Sequence, residues 1–243
     1  MAVDCKDSLT LFPLLAKGIS FFYKKEVLLN DVNLTFNDNN LVAVMGPNGA
    51  GKSLLLKILH GLMKPSHGKI SCGGSEMTLR HRLMQGMVSQ KSTLMRRSVA
   101  ENLDFVMRLR RTFDLGVRNE LLDNVALLGK QKQHTMSLSG GERQRLALAV
   151  VLATKPKLLF VDEVTAHMDP TSTRLIESLL ISQKEKGTKI ICVTHDIGQA
   201  KRLAGKIIFM HVGRVIEETD SKEFFYRAST KEARDYLAGK LLL

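Results

Sequence analysis

No apolar run in this 243-residue chain approaches the roughly 20 residues that a membrane-crossing helix needs. The first residues, Met1-Ala2-Val3-Asp4-Cys5-Lys6-Asp7, lack the basic-then-apolar layout of a secretory leader. Cysteine is scarce: Cys5, Cys72 and Cys192 are odd in number, scattered and without metal-ligand spacing, which fits a reducing compartment. Aromatics make up only 5% of the chain, and they are not interleaved with basic residues as a nucleic-acid platform requires. Internal repeats and low-complexity linkers are missing too. These absences leave a cytosolic globular chain, and 243 residues suffice for a full hydrophobic core.

The charge is not balanced. A formal net charge of +12 is spread along the whole chain, with doublets at Lys24-Lys25, Arg96-Arg97 and Arg110-Arg111 but no long basic tract. That distribution reads as a solvated or membrane-facing basic surface, with nucleic-acid binding as the alternative.

Patterning divides the chain. Leu14 to Tyr23 and Val27 to Phe36 alternate apolar and polar residues, and a turn cluster follows at Asn37-Asp38-Asn39-Asn40, as expected of a small antiparallel sheet. Leu41 to Met45 is continuously apolar, a buried strand. From Ser53 to Leu62 leucines recur at helical spacing, and Lys64-Pro65-Ser66-His67-Gly68 is expected to close that helix. The stretch from about Ser92 to Ser137 has apolar stripes over Val99–Leu109 and Asn119–Leu128, a helical lobe. A further helix is expected from Gly141 to Ala153. Buried strands are expected at Leu158–Val161 and Lys189–Thr194, with two more, Ile207–Met210 and Arg214–Glu217, around a Gly213 turn. Helices between core strands predict a mainly parallel sheet covered on both faces.

Chemistry concentrates first at Gly46-Pro47-Asn48-Gly49-Ala50-Gly51-Lys52-Ser53, a G-x-x-x-x-G-K-S loop between a buried strand and a helix. Its glycines let several backbone N–H groups turn inward as an anion-binding nest, and the following helix aims its positive end at the same point. Lys52 is placed to reach the β- and γ-phosphates of a nucleotide, and Ser53 to offer its hydroxyl to Mg²⁺. A second element is needed to hold that ion. Leu158-Leu159-Phe160-Val161 delivers Asp162 and Glu163 to the carboxyl edge of the sheet, where ligands of open α/β sheets bind. Successive strand residues point to opposite sides, so Asp162 is assigned to the metal and Glu163 to the attacking water as general base.

Leu138-Ser139-Gly140-Gly141-Glu142-Arg143-Gln144-Arg145, between these elements, resembles the signature of the ATP-binding cassette (ABC) ATPases, and the resemblance runs from about Leu15 to Phe225. It implies an α/β phosphate-loop NTPase fold of RecA-like type: a mainly parallel sheet with an N-terminal antiparallel β subdomain and an inserted helical subdomain. The whole of 1–243 is then one ABC ATPase domain, about 92–143 being the helical part and about 1–91 and 144–243 the remainder. The resemblance implies ATP and Mg²⁺ as ligands, with the nucleotide held by the loop from Gly46 through Leu54. It further implies that Tyr23 stacks on adenine, that Gln90 links Mg²⁺ and water to a transporter contact, and that Asp169 belongs to the loop after the second carboxylate. His195 is similar to the switch histidine that meets the γ-phosphate.

Ser139-Gly140-Gly141 opens a helix and is itself a candidate anion site. One phosphate loop and two phosphate-binding surfaces are reconciled, in the resembled family, by a head-to-tail homodimer that sandwiches ATP between the loop of one copy and the signature of the other. Departures from the family pattern stand at Leu54 (commonly threonine), Val164 (commonly proline), His167-Met168, and Val150-Val151. None removes a catalytic group.

The compact helical stretch and single cassette favour a membrane-transporter ATPase over chromosome-maintenance or translation relatives. The expected partners are transmembrane permease subunits, docking near Gln90 along Met95–Phe105, and an extracytoplasmic solute-binding protein, with no nucleic acid. The expected location is peripheral, on the cytoplasmic face of the inner membrane. Gln90 through Asn102 is similar to the matching stretch of bacterial oxyanion importers, tungstate first, and the chain ends soon after Phe225, without room for an extra regulatory domain. An exporter ATPase, or a nucleic-acid or ribosome ATPase, is the alternative. His60, His67, His81, His134 and His211 have no partners at ligand spacing and read as surface or structural.

Overall fold

The computed structural model describes residues 9–37, 41–91, 93–166 and 168–240. Cys5, three residues of the turn expected at 37–40, and His167 therefore lie outside the described residues. Strands β1 (Leu14–Tyr23) and β2 (Glu26–Phe36) alternate as their sequence requires and pair antiparallel, Leu14 opposite Phe36. After them come β3 (Leu41–Met45) and α1 (Lys52–His60). Helix α1 stops at Gly61, which adopts φ 80 and returns its N–H to the carbonyls of Ile58 and Lys57. The expected continuation to Leu62 and closure at 64–68 is thus corrected: His67–Cys72 is strand β4, which pairs with β1.

The short β5 (Ser75–Glu76) completes an antiparallel sheet in the order β2-β1-β4-β5. Helix α2 (Leu79–Leu83) and strand β6 (Gln85–Ser89) follow. The helical lobe contains α3 (Val99–Leu109) and α4 (Leu115–Asn124), and leads into α5 (Gly140–Leu152). Helix α4 starts four residues earlier than its stripe suggested, because Asp114 accepts from Val117 N–H at 2.8 Å and fixes the N-terminus. Leu128 falls in a separate single 3₁₀ turn.

The rest of the chain alternates strand and helix: β7 (Leu158–Asp162), α6 (Pro170–Glu185), β8 (Lys189–Val193), α7 (Ile197–Leu203), then β9 (Lys206–His211) and β10 (Arg214–Asp220). Helices α8 (Ser221–Arg227) and α9 (Lys231–Leu237) follow. The central sheet runs β10-β9-β3-β8-β7-β6, parallel except for β10 against β9.

Every residue of β3, β7 and β8 is buried, and the period-two rule decides where each goes. Val44, Phe160 and Val193 face α1 and the antiparallel sheet, packing with Leu55, Leu56 and Leu59. Leu159, Val161 and Cys192 face the other way, onto Leu146 and Leu148 of α5 and Ile176 and Leu180 of α6. Each such aliphatic side chain contributes about 2 kcal/mol on burial. Among the described residues no helix is long and apolar enough to cross a membrane.

His60, at the end of α1, lies edge-on to Phe160 with ring centroids 5.7 Å apart, and its buried Nδ1 has no hydrogen-bond partner among the described residues. Burial, with the Arg82 charge adding to it, pushes its pKa down to about 4. An unfolded chain takes up this proton near pH 6.5, so between about 6.5 and 4 protons favour the unfolded state. Stability contributed by neutral His60 is whole above that window and lost as the pH falls through it. The urea midpoint of the parent chain is expected to drop more between pH 7 and pH 5 than that of His60→Gln.

Candidate functional site

The loop from Gly46 to Ser53 leaves β3 at the carboxyl edge of the sheet and enters α1. Gly46, Gly49 and Gly51 all have positive φ, at 144, 82 and 91. Two of these glycines are also forced by space. A Cβ on Gly46 would stand 2.0 Å from the Met210 carbonyl oxygen, and one on Gly51 would meet Leu29 at 2.7 Å and the Leu28 carbonyl at 2.9 Å. The parallel and antiparallel sheets therefore grip the loop from two sides.

Lys52 is only 6% exposed, and its ammonium donates to the carbonyls of Gly46 and Pro47, each at 2.8 Å. Burial lowers its pKa, while the nearby Glu163 and Asp162 carboxylates pull it back up. The Ser53 hydroxyl donates to Asp162 Oδ1 at 2.7 Å across the sheet edge. Asp162 is itself buried. Its pKa is raised, with burial the largest cause, opposed by that hydrogen bond and reinforced by the negative charge of Glu163.

Glu163, just after the strand, is in a left-handed conformation, φ 49, which costs a non-glycine residue about 1 kcal/mol or more. The turn separates the two acids: Asp162 meets Ser53, whereas Glu163 Oε1 lies 3.4 Å from Nδ1 of His195. His195 follows β8 just as Gln90 follows β6, and these parallel strands, one on each side of β7, deliver both to the same edge. Gly46, Pro47, Asn48, Gln90, Glu163 and His195 line one recess of about 600 Å³. Tyr236 of α9 lines it too, a residue that sequence patterning did not single out.

Other expected residues sit elsewhere. Tyr23 is 57% exposed at the β1–β2 turn, in a separate hollow with Lys24, Lys25 and Glu26. Ala50 and Leu54 pack in or against the core under the antiparallel sheet, so Leu54 adds apolar contact at a position where a threonine would offer a hydroxyl. Asp169 caps α6, accepting from Ser172 N–H at 2.9 Å. Ser139 caps α5 with a reciprocal box: its hydroxyl accepts from Glu142 N–H, and Glu142 accepts from Ser139 N–H at 2.9 Å. Ser139, Gly140 and Gly141 do not line the recess that contains Gly46 and Glu163.

A connection that spacing could not reveal joins the two regions. Gln144 of α5 is 7% exposed and donates to the Ser89 carbonyl at 2.8 Å, one residue before Gln90. A separate network centres on Glu177, which takes a two-pronged ion pair from Arg202, at 2.7 and 3.0 Å, and a hydrogen bond from Gln199. Gln199 also donates to Thr165, two residues after Glu163.

A Mg²⁺ ion asks for hard oxygen donors, usually one or two carboxylates with substrate phosphates and water completing the shell. The Ser53 hydroxyl and the Asp162 carboxylate, 2.7 Å apart beside the phosphate loop, fit that demand.

The model of a protein family described as "ABC transporter" matches residues 29–166, from β2 through the loop after Glu163. The chain belongs to the ABC transporter family. It is 34% identical to the phosphate import ATP-binding protein PstB 1 of Enterococcus faecalis, over 93% of this chain and 96% of that protein. It is equally 34% identical to the arginine transport ATP-binding protein ArtM of Bacillus subtilis, over 89% and 94%. Among solved structures, cbiO1 from Clostridium perfringens, part of the cbiONQ complex, superposes with TM-score 0.77 at 28% identity, covering 90% of this chain and 92% of that one. A dimeric post-hydrolysis state of the cassette MJ0796, bound to ADP and Pi, gives TM-score 0.76 at 26% identity, covering 86% and 98%. The fold is that of an ABC cassette, and the chain is an ATPase of this kind.

The Gly46 carbonyl clash makes a concrete expectation. Gly46→Ala should lose about 3 kcal/mol of folding stability, from backbone strain and a contact with a strand that cannot retreat. Denaturant melts compare it with the parent. A loss below about 1 kcal/mol would mean that the loop is free to slide away from β9.

Proposed function

We propose that this chain is the ATP-hydrolysing subunit of an importer-type membrane transporter. The supporting observation is the convergence of the loop end, Gln90, Glu163 and His195 on one recess, beside the Ser53–Asp162 pair. In this reading backbone N–H groups of the loop and the Lys52 ammonium hold the phosphates of ATP. Ser53, Asp162 and Gln90 hold Mg²⁺, which when bound neutralises charge on the β- and γ-phosphates. Glu163 orients the attacking water or takes its proton, and His195, within reach of Glu163, meets the γ-phosphate. Tyr23 provides the adenine face, from the turn outside the recess.

Ser139 to Gly141 lie outside this chain's own recess, so they are assigned to a second copy's ATP in a head-to-tail homodimer. The dimeric state of the MJ0796 cassette supports pairing of two copies. The membrane partners are permease subunits that dock near Gln90 along Met95–Phe105, where exposed Phe105 lines a hollow with Arg97, Arg108 and Leu109. An extracytoplasmic solute-binding protein completes the importer, and the ATPase sits peripherally at the cytoplasmic face of the inner membrane.

For the cargo we favour an oxyanion, tungstate first. The similarity of Gln90–Asn102 to oxyanion importers and the identity to phosphate import proteins support this. Equal identity to an arginine transport protein makes a cationic amino acid the second reading.

Glu163→Gln is expected to lower ATP turnover by about 10²–10⁴-fold while binding persists. Parent-rate hydrolysis in that variant would remove Glu163 from its role. With MgATP the same variant should double in mass by light scattering, and Ser139→Arg should stay monomeric. A Ser139→Arg chain that still pairs would dismiss the sandwich. In proteoliposomes carrying its permease partner, tungstate with its binding protein should stimulate hydrolysis and arginine should not.

A further inference from the structure

Tyr236 is the one recess residue that no motif accounts for. It comes from α9, near the end of the described chain, yet it lines the recess alongside the start of the phosphate loop, Glu163 and His195. Its position is held firmly. Glu217 of β10, 8% exposed, accepts from Ser229 N–H at 2.9 Å, Thr230 N–H at 3.0 Å and the Thr230 hydroxyl at 2.9 Å. Thr230 in turn caps α9, and Arg234 donates to the carbonyls of Ala228 and Ser229. Ala233 is fully buried, and the Tyr236 ring packs on Phe209 of β9 with centroids 5.3 Å apart. The ring is thus clamped between the sheet and the recess.

Its hydroxyl is the only one among the described residues that line this recess, whose other side chains are a carboxylate, an imidazole, two amides and a proline ring. The phenol stays protonated across the physiological range. Burial raises its pKa, a backbone hydrogen bond with Gly46 works against that, and the Glu163 charge raises it further. A neutral O–H beside a carboxylate site is a donor that an anionic ligand can use without proton transfer.

Resting on the ATPase reading above, the α- and β-phosphates belong in the nest closed by Lys52, and the terminal phosphate in the recess with Glu163, His195 and Gln90. We propose that Tyr236 is a further nucleotide-contacting residue, whose O–H donates to the terminal phosphate of ATP and makes the site distinguish ATP from ADP. ADP fills only the nest and leaves this donor without its acceptor. The C-terminal helix then becomes part of the γ-phosphate pocket, fixed there through Glu217.

The test uses the full chain and Tyr236→Phe, which keeps the ring and its packing on Phe209. Each is titrated calorimetrically, with Mg²⁺, against the β,γ-imido analogue of ATP and against ADP. The variant should bind the analogue about fivefold to twentyfold more weakly, the loss of one charge-assisted hydrogen bond, and ADP within about twofold of the parent. Tyr226→Phe, on the 88%-exposed tyrosine of α8, should match the parent for both ligands. Equal weakening for analogue and ADP, with a lowered melting temperature, assigns Tyr236 to packing alone and overturns the proposal. Unchanged affinity for both overturns it as well. A parent chain that binds neither nucleotide would instead bring down the ATPase reading.

Discussion

The parallel pairing of β3 with β8 and β9, and of β7 with β6 and β8, is the constraint on which the chemistry depends. Parallel strands end on the same side, so whatever follows each one is delivered to a common edge. The phosphate loop follows β3, Gln90 follows β6, Glu163 follows β7 and His195 follows β8. Four segments far apart in sequence meet because the backbone register permits no other outcome. Covering helices keep that register dry: α1 on one face, α5 and α6 on the other.

At the edge itself, short-range electrostatics arrange the pieces. Two adjacent acids next to a buried lysine would be a costly cluster if all three charges pointed into one volume. The left-handed turn at Glu163 resolves this by sending one carboxylate to Ser53 and the other to His195. The strain at that residue is held by the hydrogen bond from Glu163 N–H to the Val193 carbonyl and by the network of Thr165, Gln199, Glu177 and Arg202 behind it. A residue fixed in a sparsely populated conformation is pre-organised, which suits the water-orienting role proposed for Glu163.

Much of this was legible in the sequence, for reasons that differ by element. Leu41–Met45 and Leu158–Val161 announce themselves because strands buried on both faces must be continuously apolar. Strand β6 hides, since Gln85-Gly86-Met87-Val88-Ser89 has no such run. Gly86 is demanded by packing instead, as a Cβ there would stand 2.5 Å from Val151. The α1 terminus was misplaced because Gly61 outranked the later Lys-Pro-Ser stretch as a stop. At the candidate site, the phosphate loop and the residues after the strands are legible because their pattern is local in sequence. Tyr236 is not, because its place comes from the tertiary docking of α9 on Glu217 and Phe209, which no spacing records.

The bond from Gln144 to the Ser89 carbonyl has a consequence for a paired machine. It yokes the signature helix, whose start would face the neighbour's nucleotide, to the step that carries Gln90 in this chain's own site. In the proposed sandwich, a shift of Gln90 on nucleotide arrival would therefore be felt at the opposite site as a shift of Ser139. Such a linkage would couple the two sites through a single buried amide.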